Sequence, residues 1–414
     1  MLLLTSPRMN RSCLLIALGL MTGLAGCAAP PAGSPSAAQA APIQPIAYED
    51  AVLKAANGLF SKAPMPAAGT GTAAKQLLVI DPLVDGGTGV QSVATQSMEE
   101  RIVKLVQAKY PQFNVQPFTA ANVAKSPLVF IGTFTPVDQQ GKTAGVRENF
   151  RICLALLDIK AGKVVSKARE FATPAGVDVT PTRFFKESPT WAPDPATEGY
   201  IKTCQATKLG DPINPLYWDR VMAASLISEA IDAYDAGQYQ RALELYKNAR
   251  KTAGGDQLRV FNGLYLTNWK LGKREAATQA FGEVVDFGLN TKRLGVKFLF
   301  SPGSTDLIGD RQVAGQYPLW IGQIAQRTSQ KQGCLEVVGH TSRTGPEPIN
   351  ERLSLLRAQA IKQRLDTDAP SLTKRTIASG VGSRETLVGI GTDDARDALD
   401  RRVEFKVIDC GSPR

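Results

Sequence analysis

The sequence predicts an α+β, multidomain fold: an N-terminal small α/β sandwich, a short α-helical repeat segment, and a C-terminal domain of β-α-β-α-β-β order. Three observations carry this reading. Apolar strand-type runs alternate with helical periods between Gln76 and Phe171. The stretch 221–290 is helical throughout and repeats itself at an offset of 35 residues. From Leu294 onward strand and helix signals alternate again, centred on Cys334–Arg357. The 414 residues suffice for two or three domains with cores of their own. At 43% hydrophobic and 21% charged the composition is that of a globular chain, which excludes disorder and a multi-span membrane protein.

Residues 1–26 are expected to be a removed leader. Arg8 and Arg11 precede the apolar run Leu14–Leu20, which is too short for a permanent membrane span. The run ends in Leu24-Ala25-Gly26-Cys27, which resembles a bacterial lipobox; an ordinary signal peptide with an incidental cysteine is the alternative. The resemblance implies that Cys27 is acylated, and Ala28 after it implies an outer-membrane lipoprotein facing the periplasm. The leader holds two arginines and no acids, so the formal charge falls from +10 to +8 on its removal. A basic envelope protein suits anionic wall or lipid groups, or the charge serves solubility alone. Nucleic acid is not an expected partner of an exported chain. Residues 27–75 read as a tether: Ala28–Ile46 is rich in Pro, Ala, Ser and Gln, Tyr48–Phe60 is a short amphipathic helix, and Ser61–Lys75 is a second flexible stretch. About twenty extended residues at ~3.1 Å each reach on the order of 60 Å.

Residues 76–220 read as an α/β domain with a wrapping segment. Leu77–Ile80 is a buried strand stopped by Asp81-Pro82. Met98, Ile102, Leu105 and Val106 mark a helix, and Phe113–Phe118 and Leu128–Phe134 are strands. Phe150–Ile159 and Val164–Phe171 flank a hairpin turn at Lys160–Lys163. This order, with the opening Leu78-Val79-Ile80-Asp81, is similar to envelope lipoprotein domains of the CsgG/FlgO type. Pro174–Tyr217 is rich in Pro, Asp and Thr, holds a short helix at Thr197–Ala206, and is expected to wrap the domain.

In 221–290, Ala236–Ala249 lies on Leu271–Val284, matching Gly237 with Gly272, Ala242 with Ala277, and Tyr246 with Phe281. The pattern resembles the tetratricopeptide repeat, in which small residues let paired helices approach and an aromatic fills the gap. It implies either a groove for an envelope protein partner or a helical spacer.

The last domain spans 294–410. Val296–Phe300 is a strand, Ser301–Ser304 a turn, and a helix falls within Asp310–Gln330. Leu335, Val337 and Val338 form a strand ended by Gly339. Ile349, Leu353, Leu356 and Ala360 then follow at helical spacing. The loop between them joins a strand C-terminus to a helix N-terminus, a place that gathers N–H groups and favours anions. Strand Arg375–Ser379, a glycine-rich loop, a short helix through Asp393–Leu399 and strand Arg402–Ile408 complete the order.

Gly339-His340-Thr341, Gly345, Asn350-Glu351-Arg352-Leu353-Ser354, Arg357-Ala358 and Arg401-Arg402-Val403-Glu404 together resemble the signature of the OmpA-like peptidoglycan-binding domain. The resemblance implies a non-covalent site for the diaminopimelate side chain of a stem peptide. It assigns the site to His340, Thr341, Ser342, Asn350, Leu353, Ser354, Arg357, Arg401 and Arg402. Arg357 would take the ligand carboxylate. Asn350 caps or orders the loop, Leu353 is core or contact, and His340 is a structural residue or a ligand. Ser342 stands where the family has Asp. Losing a charged partner for the ligand ammonium costs roughly 1.5–3 kcal/mol; Glu351 and Asp400 are candidates to compensate.

Four cysteines, Cys153, Cys204, Cys334 and Cys410, remain after Cys13 and Cys27 are set aside. None has C-x-x-C spacing, so zinc is not expected. Three pairings are open, besides free thiols. Cys153–Cys204 and Cys334–Cys410 are favoured because each stays within one domain. No metal or cofactor is expected, and no enzyme: His340 is the single histidine, and Gly141-Lys142-Thr143 lacks the first glycine of a P-loop, Pro136 standing in its place. The expected function is peptidoglycan attachment with tethering of an envelope complex. The alternative is an adaptor in a secretion, motility or assembly machine, with weak or no wall binding.

Overall fold

The computed structural model describes residues 43–64, 75–143, 147–191, 193–308, 313, 315–387, 389, 391 and 395–411. The expected leader, the expected lipidation site Cys27 and the tract to residue 42 lie outside the described residues, as do 65–74.

Helix α1 (Tyr48–Phe60) buries Tyr48, Ala51, Val52, Ala55, Ala56, Leu59 and Phe60. They share a core with Leu78, Phe130, Phe134 and Leu154 of the sheet that follows. The sequence reading places this helix in the tether. It is instead a layer of the first domain, since an apolar stripe this wide needs a surface to cover. Ile43 N–H donates to Gln139 O and Ile46 N–H to Phe171 O, so residues upstream of 76 belong to the first domain.

The sheet is built from β1 (Gln76–Ile80), β2 (Val84–Asp85), β3 (Phe113–Gln116), β4 (Leu128–Val137), β5 (Asn149–Asp158) and β6 (Lys163–Ala172), with α2 (Val93–Lys109) and α3 (Ala120–Val123) in the crossovers. Strand order is β3-β1-β4-β5-β6, with the short β2 beside β4. The first three are parallel and the last three antiparallel. Every residue of β4 is buried, which explains the apolar run Leu128–Ile131 at the centre of a sheet covered on both faces.

The wrapping segment divides in two. Its first part, 182–194, carries α4 (Arg183–Glu187). Its second part carries α5 (Pro195–Ala206) and α6 (Pro215–Trp218), which cover the face of the sheet opposite α1. The Tyr200 hydroxyl of α5 accepts from Gly132 N–H and donates to Gly132 O, pinning the helix to the middle of β4. Cys153 and Cys204 are joined across this interface with Cα atoms 6.1 Å apart.

Two helix pairs follow: α7 (Val221–Asp235) with α8 (Tyr239–Lys251), and α9 (Leu258–Lys270) with α10 (Arg274–Asn290). The matched glycines Gly237 and Gly272 both take positive φ at the turns between paired helices, +75° and +73°. Tyr246 and Phe281 are fully buried. The face of α7 and α9 that the sequence reading offers to a partner peptide is covered by the chain itself. Phe184 packs on Tyr234 and Tyr246, Asn262 donates to Thr190 Oγ1 at 2.8 Å, and Leu258 N–H donates to Asp194 Oδ2 at 2.7 Å. Lys270 pairs with Glu187 at 2.8 Å. The Pro- and Thr-rich strap of 182–194 thus occupies the groove, and the helices act as a filled joint.

The C-terminal domain contains β7 (Phe298–Leu299), α11 (Tyr317–Gln330), β8 (Cys334–Gly339), α12 (Glu347–Asp368), β9 (Thr376–Gly380), α13 (Ala395–Asp400) and β10 (Arg402–Ile408). Its sheet runs β7-β10-β8-β9, with β8 and β9 parallel and the other pairs antiparallel. Cys334 and Cys410 are joined at one edge, Cα atoms 5.4 Å apart. The core is continuous with the helix pairs: Trp320 stacks on Phe281 at 5.7 Å, and its Nε1–H donates to the Tyr265 hydroxyl.

Asp81, at the end of β1, accepts a 2.7 Å bond from the Tyr217 hydroxyl. Burial pushes its carboxyl from 3.8 up to about 6, against the pull of Arg259 and that hydrogen bond. Between pH 4 and 6 the folded chain holds a proton that the unfolded chain has released. Stability therefore falls as pH rises through this window, by about 3 kcal/mol in full. Asp81→Asn is expected to remove that part of the slope, so that the variant gains on wild type from pH 4 to pH 7 in urea unfolding. An unchanged slope would refute the assignment.

Candidate functional site

The site forms where β8 hands over to α12. At Gly339 a Cβ would lie 1.8 Å from Ser354 O, so only glycine lets the strand end pass under the helix. The loop is then held from both sides: His340 N–H donates to Arg402 O and Thr341 N–H to Gly382 O. Gly345 takes φ +92°, and Asn350 Nδ2 donates to Gly345 O at 3.3 Å, ordering the loop.

The periodicity Ile349, Leu353, Leu356, Ala360 misidentifies the inner face of α12. Ile349 is 62% and Leu356 42% exposed. The buried positions are Asn350, Ser354, Arg357, Ala358, Ile361 and Leu365. The first three are polar because the N-terminal half of the helix faces a cavity and its loops rather than an apolar core.

That cavity, about 170 Å³, is lined by Thr341, Ser342, Asn350, Leu353, Arg357 and Arg401, together with Pro302, Gly303, Thr344, Gly345 and Ile349. Arg357 forms its floor and is fully buried. Its Nε donates to Ser304 O at 2.9 Å, Nη1 to His340 O at 3.2 Å and Nη2 to Ser301 O at 2.9 Å. It also lies over the Phe300 ring at 5.2 Å. Of five N–H donors two remain. Burial, then the nearby Arg401, lowers its pKa to about 10, so it stays charged at neutral pH. Among the described residues no carboxylate pairs with Arg357. A cavity floored by a cation that carbonyl dipoles alone solvate has a strong field for an anion.

Three of the nine expected residues stand behind the cavity. His340 is fully buried, its Nε2 3.1 Å from Glu404 Oε1 but off the hydrogen-bond axis. Burial, then Arg402, lowers its pKa, so the imidazole is neutral. Ser354 Oγ donates to Glu351 O and accepts from Gly382 N–H, tying α12 to the loop after β9. Arg402 bonds both Glu404 oxygens at 3.3 Å and Glu385 O. Burial alone would raise the Glu404 carboxyl; the Arg402 guanidinium overrides it and holds it well below the usual range. Neither proposed compensator for Ser342 lines the cavity: Glu351 pairs with Arg384, and Asp400 is buried on Leu387 and Gly389 N–H. The contribution of the 301–304 turn, whose carbonyls cradle Arg357, has no side-chain signal in the sequence.

Among the described residues one group could hold a metal: ligand atoms of His340, Glu385 and Glu404 lie within 4.8 Å of one another. Arg402 on Glu404, and Lys406 3.8 Å from Glu385, already balance both carboxylates. The group works as an ion-pair network that orients the strand end.

No protein-family model matches the chain. Outer membrane protein Omp38 of Acinetobacter baumannii is 32% identical over 92 residues, 22% of this chain and 26% of that protein. Outer membrane porin F of Pseudomonas fluorescens is 41% identical over 75 residues, 18% and 22% of the two chains. The chain thus spans about a quarter of the length of the curated relatives it matches. Among solved structures, the peptidoglycan-associated lipoprotein from Burkholderia pseudomallei aligns with 27% of this chain and 89% of its own, at 23% identity and TM-score 0.24. The cell wall anchor of the T6SS from Pseudomonas aeruginosa aligns with 27% and 74%, at 25% identity and TM-score 0.22. The chain is weakly homologous to OmpA-family outer-membrane proteins over this local stretch.

Gly339→Ala is expected to destabilise the C-terminal domain by about 3 kcal/mol or more, because the contact is with backbone that cannot yield. Urea unfolding followed by near-UV circular dichroism checks it; a variant within about 0.5 kcal/mol of wild type would contradict the reading.

Proposed function

We propose that this chain is an outer-membrane lipoprotein that binds peptidoglycan non-covalently and thereby holds an envelope complex at the wall, without chemistry. The observation that carries the reading is the buried Arg357 guanidinium beneath the cavity, with Arg401 beside it and no carboxylate partner for Arg357 among the described residues. Two N–H groups of Arg357 remain to meet a carboxylate such as that of a diaminopimelate side chain. The local homology to OmpA-family outer-membrane proteins supports it, its 92 matched residues being the size of the C-terminal domain. A lipid on Cys27 would supply the membrane end. A protein partner would meet the outer faces of the helix pairs or displace the strap.

The adaptor reading rests on Ser342, which lines the cavity and makes a long 3.5 Å contact with Thr344. A serine there cannot neutralise an ammonium. Co-sedimentation of the soluble chain with purified sacculi separates the two. Wall binding predicts retention, a loss of about tenfold or more in Arg401→Glu, and a gain of about ten- to a hundredfold in Ser342→Asp. Arg357→Lys, which keeps the charge and most of the volume, loses the bidentate geometry and should weaken binding with little loss of fold. No retention of the wild type, with binding appearing only in Ser342→Asp, refutes attachment and supports the adaptor.

A further inference from the structure

The N-terminal domain reaches the rim of this cavity. Between β4 and β5 the chain turns, and Arg147 projects from the returning side. Its Nε donates to Thr143 O at 3.1 Å, bracing it on its own turn. Its Nη1 donates to Leu387 O at 2.8 Å, a contact across 240 residues of sequence. Leu387 belongs to the segment after β9 whose Gly382 O holds Thr341 of the cavity wall. Leu387 and Gly389 N–H both donate to the Asp400 carboxylate. Asp400 directly precedes Arg401, which lines the cavity, and Arg402 reaches back to Glu385 O. Residues 382–387, Gly389 and the start of β10 are therefore one hydrogen-bonded unit, and Arg147 grips it from the other domain.

We propose that Arg147 is a positioning residue for the anion cavity: it fixes the Leu387–Asp400 unit that sets Arg401. The bond to Leu387 O restrains the segment. Asp400 and Asp85 are the carboxylates that act on Arg147, and Arg343 and Arg402 the opposing cations. Asp85 is held in place by Gly87 N–H, Thr88 N–H and the Thr88 hydroxyl. The N-terminal domain thereby takes part in wall binding without touching the wall. This rests on the peptidoglycan reading for its ligand, though not for the restraint itself.

The test uses the full soluble chain with Arg147→Met, which keeps the stem and removes the donors. Hydrogen exchange of amides in 382–389 and 401–403 should quicken while the melting temperature holds. Sacculus affinity should fall about three- to tenfold, the size of a coupling carried through intermediaries. Unchanged exchange in those segments overturns the proposal. Faster exchange with wild-type affinity overturns it too, since Arg147 would then be structural only. If the wild type binds no sacculi, the peptidoglycan reading fails, and exchange alone decides whether Arg147 holds the segment.

Discussion

A buried guanidinium without a carboxylate partner must be solvated by something, and in this chain three backbone carbonyls do it. Ser301, Ser304 and His340 come from the turn after β7 and the end of β8. Arg357 draws them to one point. The shape of the cavity follows: its floor is the cation, and its walls are the segments that solvate it. The constraint also explains why α12 is polar on its inner side. A leucine at 357 would pack there, but it would leave those carbonyls unsatisfied, each costing about 1–3 kcal/mol.

The same reasoning changes the view of the middle of the chain. Two helix pairs are too few to close a core of their own. They find the missing surface on one side in Phe184, Phe185 and Trp191 of the strap, and on the other in Trp320 and Tyr317 of the C-terminal domain. One hydrophobic cluster therefore runs from the strap to the C-terminal domain. The buried Lys297, with its ammonium over the Trp191 ring at 3.9 Å, marks the seam. Burial pushes its pKa well down, and Ser188 O is the acceptor that keeps its head group in place.

Much of this was legible in the residues. Leu128–Phe134 reads as a central strand because β4 is apolar on both faces, and Gly237 and Gly272 mark the turns of the helix pairs because only positive φ closes them. The two cysteine pairs follow from domain boundaries. Other features were not legible, for identifiable reasons. Periodicity finds the stripe of α1 but not the surface it covers. It finds an apolar stripe on α12 that faces water, because the buried stripe is Asn350, Ser354 and Arg357, residue types that usually signal exposure. The strap has no regular period, being held by the scattered side chains Phe184, Phe185 and Trp191 and by single bonds to Thr190 and Asp194. Motif position brought nine residues to the site, but the separation of Thr341, Ser342, Asn350, Leu353, Arg357 and Arg401 from His340, Ser354 and Arg402 depends on which way each side chain turns.

The residues just before α1 and the far end of β4 meet at one place. Ile43 N–H donates to Gln139 O beyond β4, and Ile46 N–H to Phe171 O of β6. Arg147, at the entry to β5, bonds Leu387 O of the C-terminal domain. A pull on Ile43 would load both of the first two bonds and α1 behind them, so the end of the sheet that takes such a load is also the end that reaches the C-terminal domain.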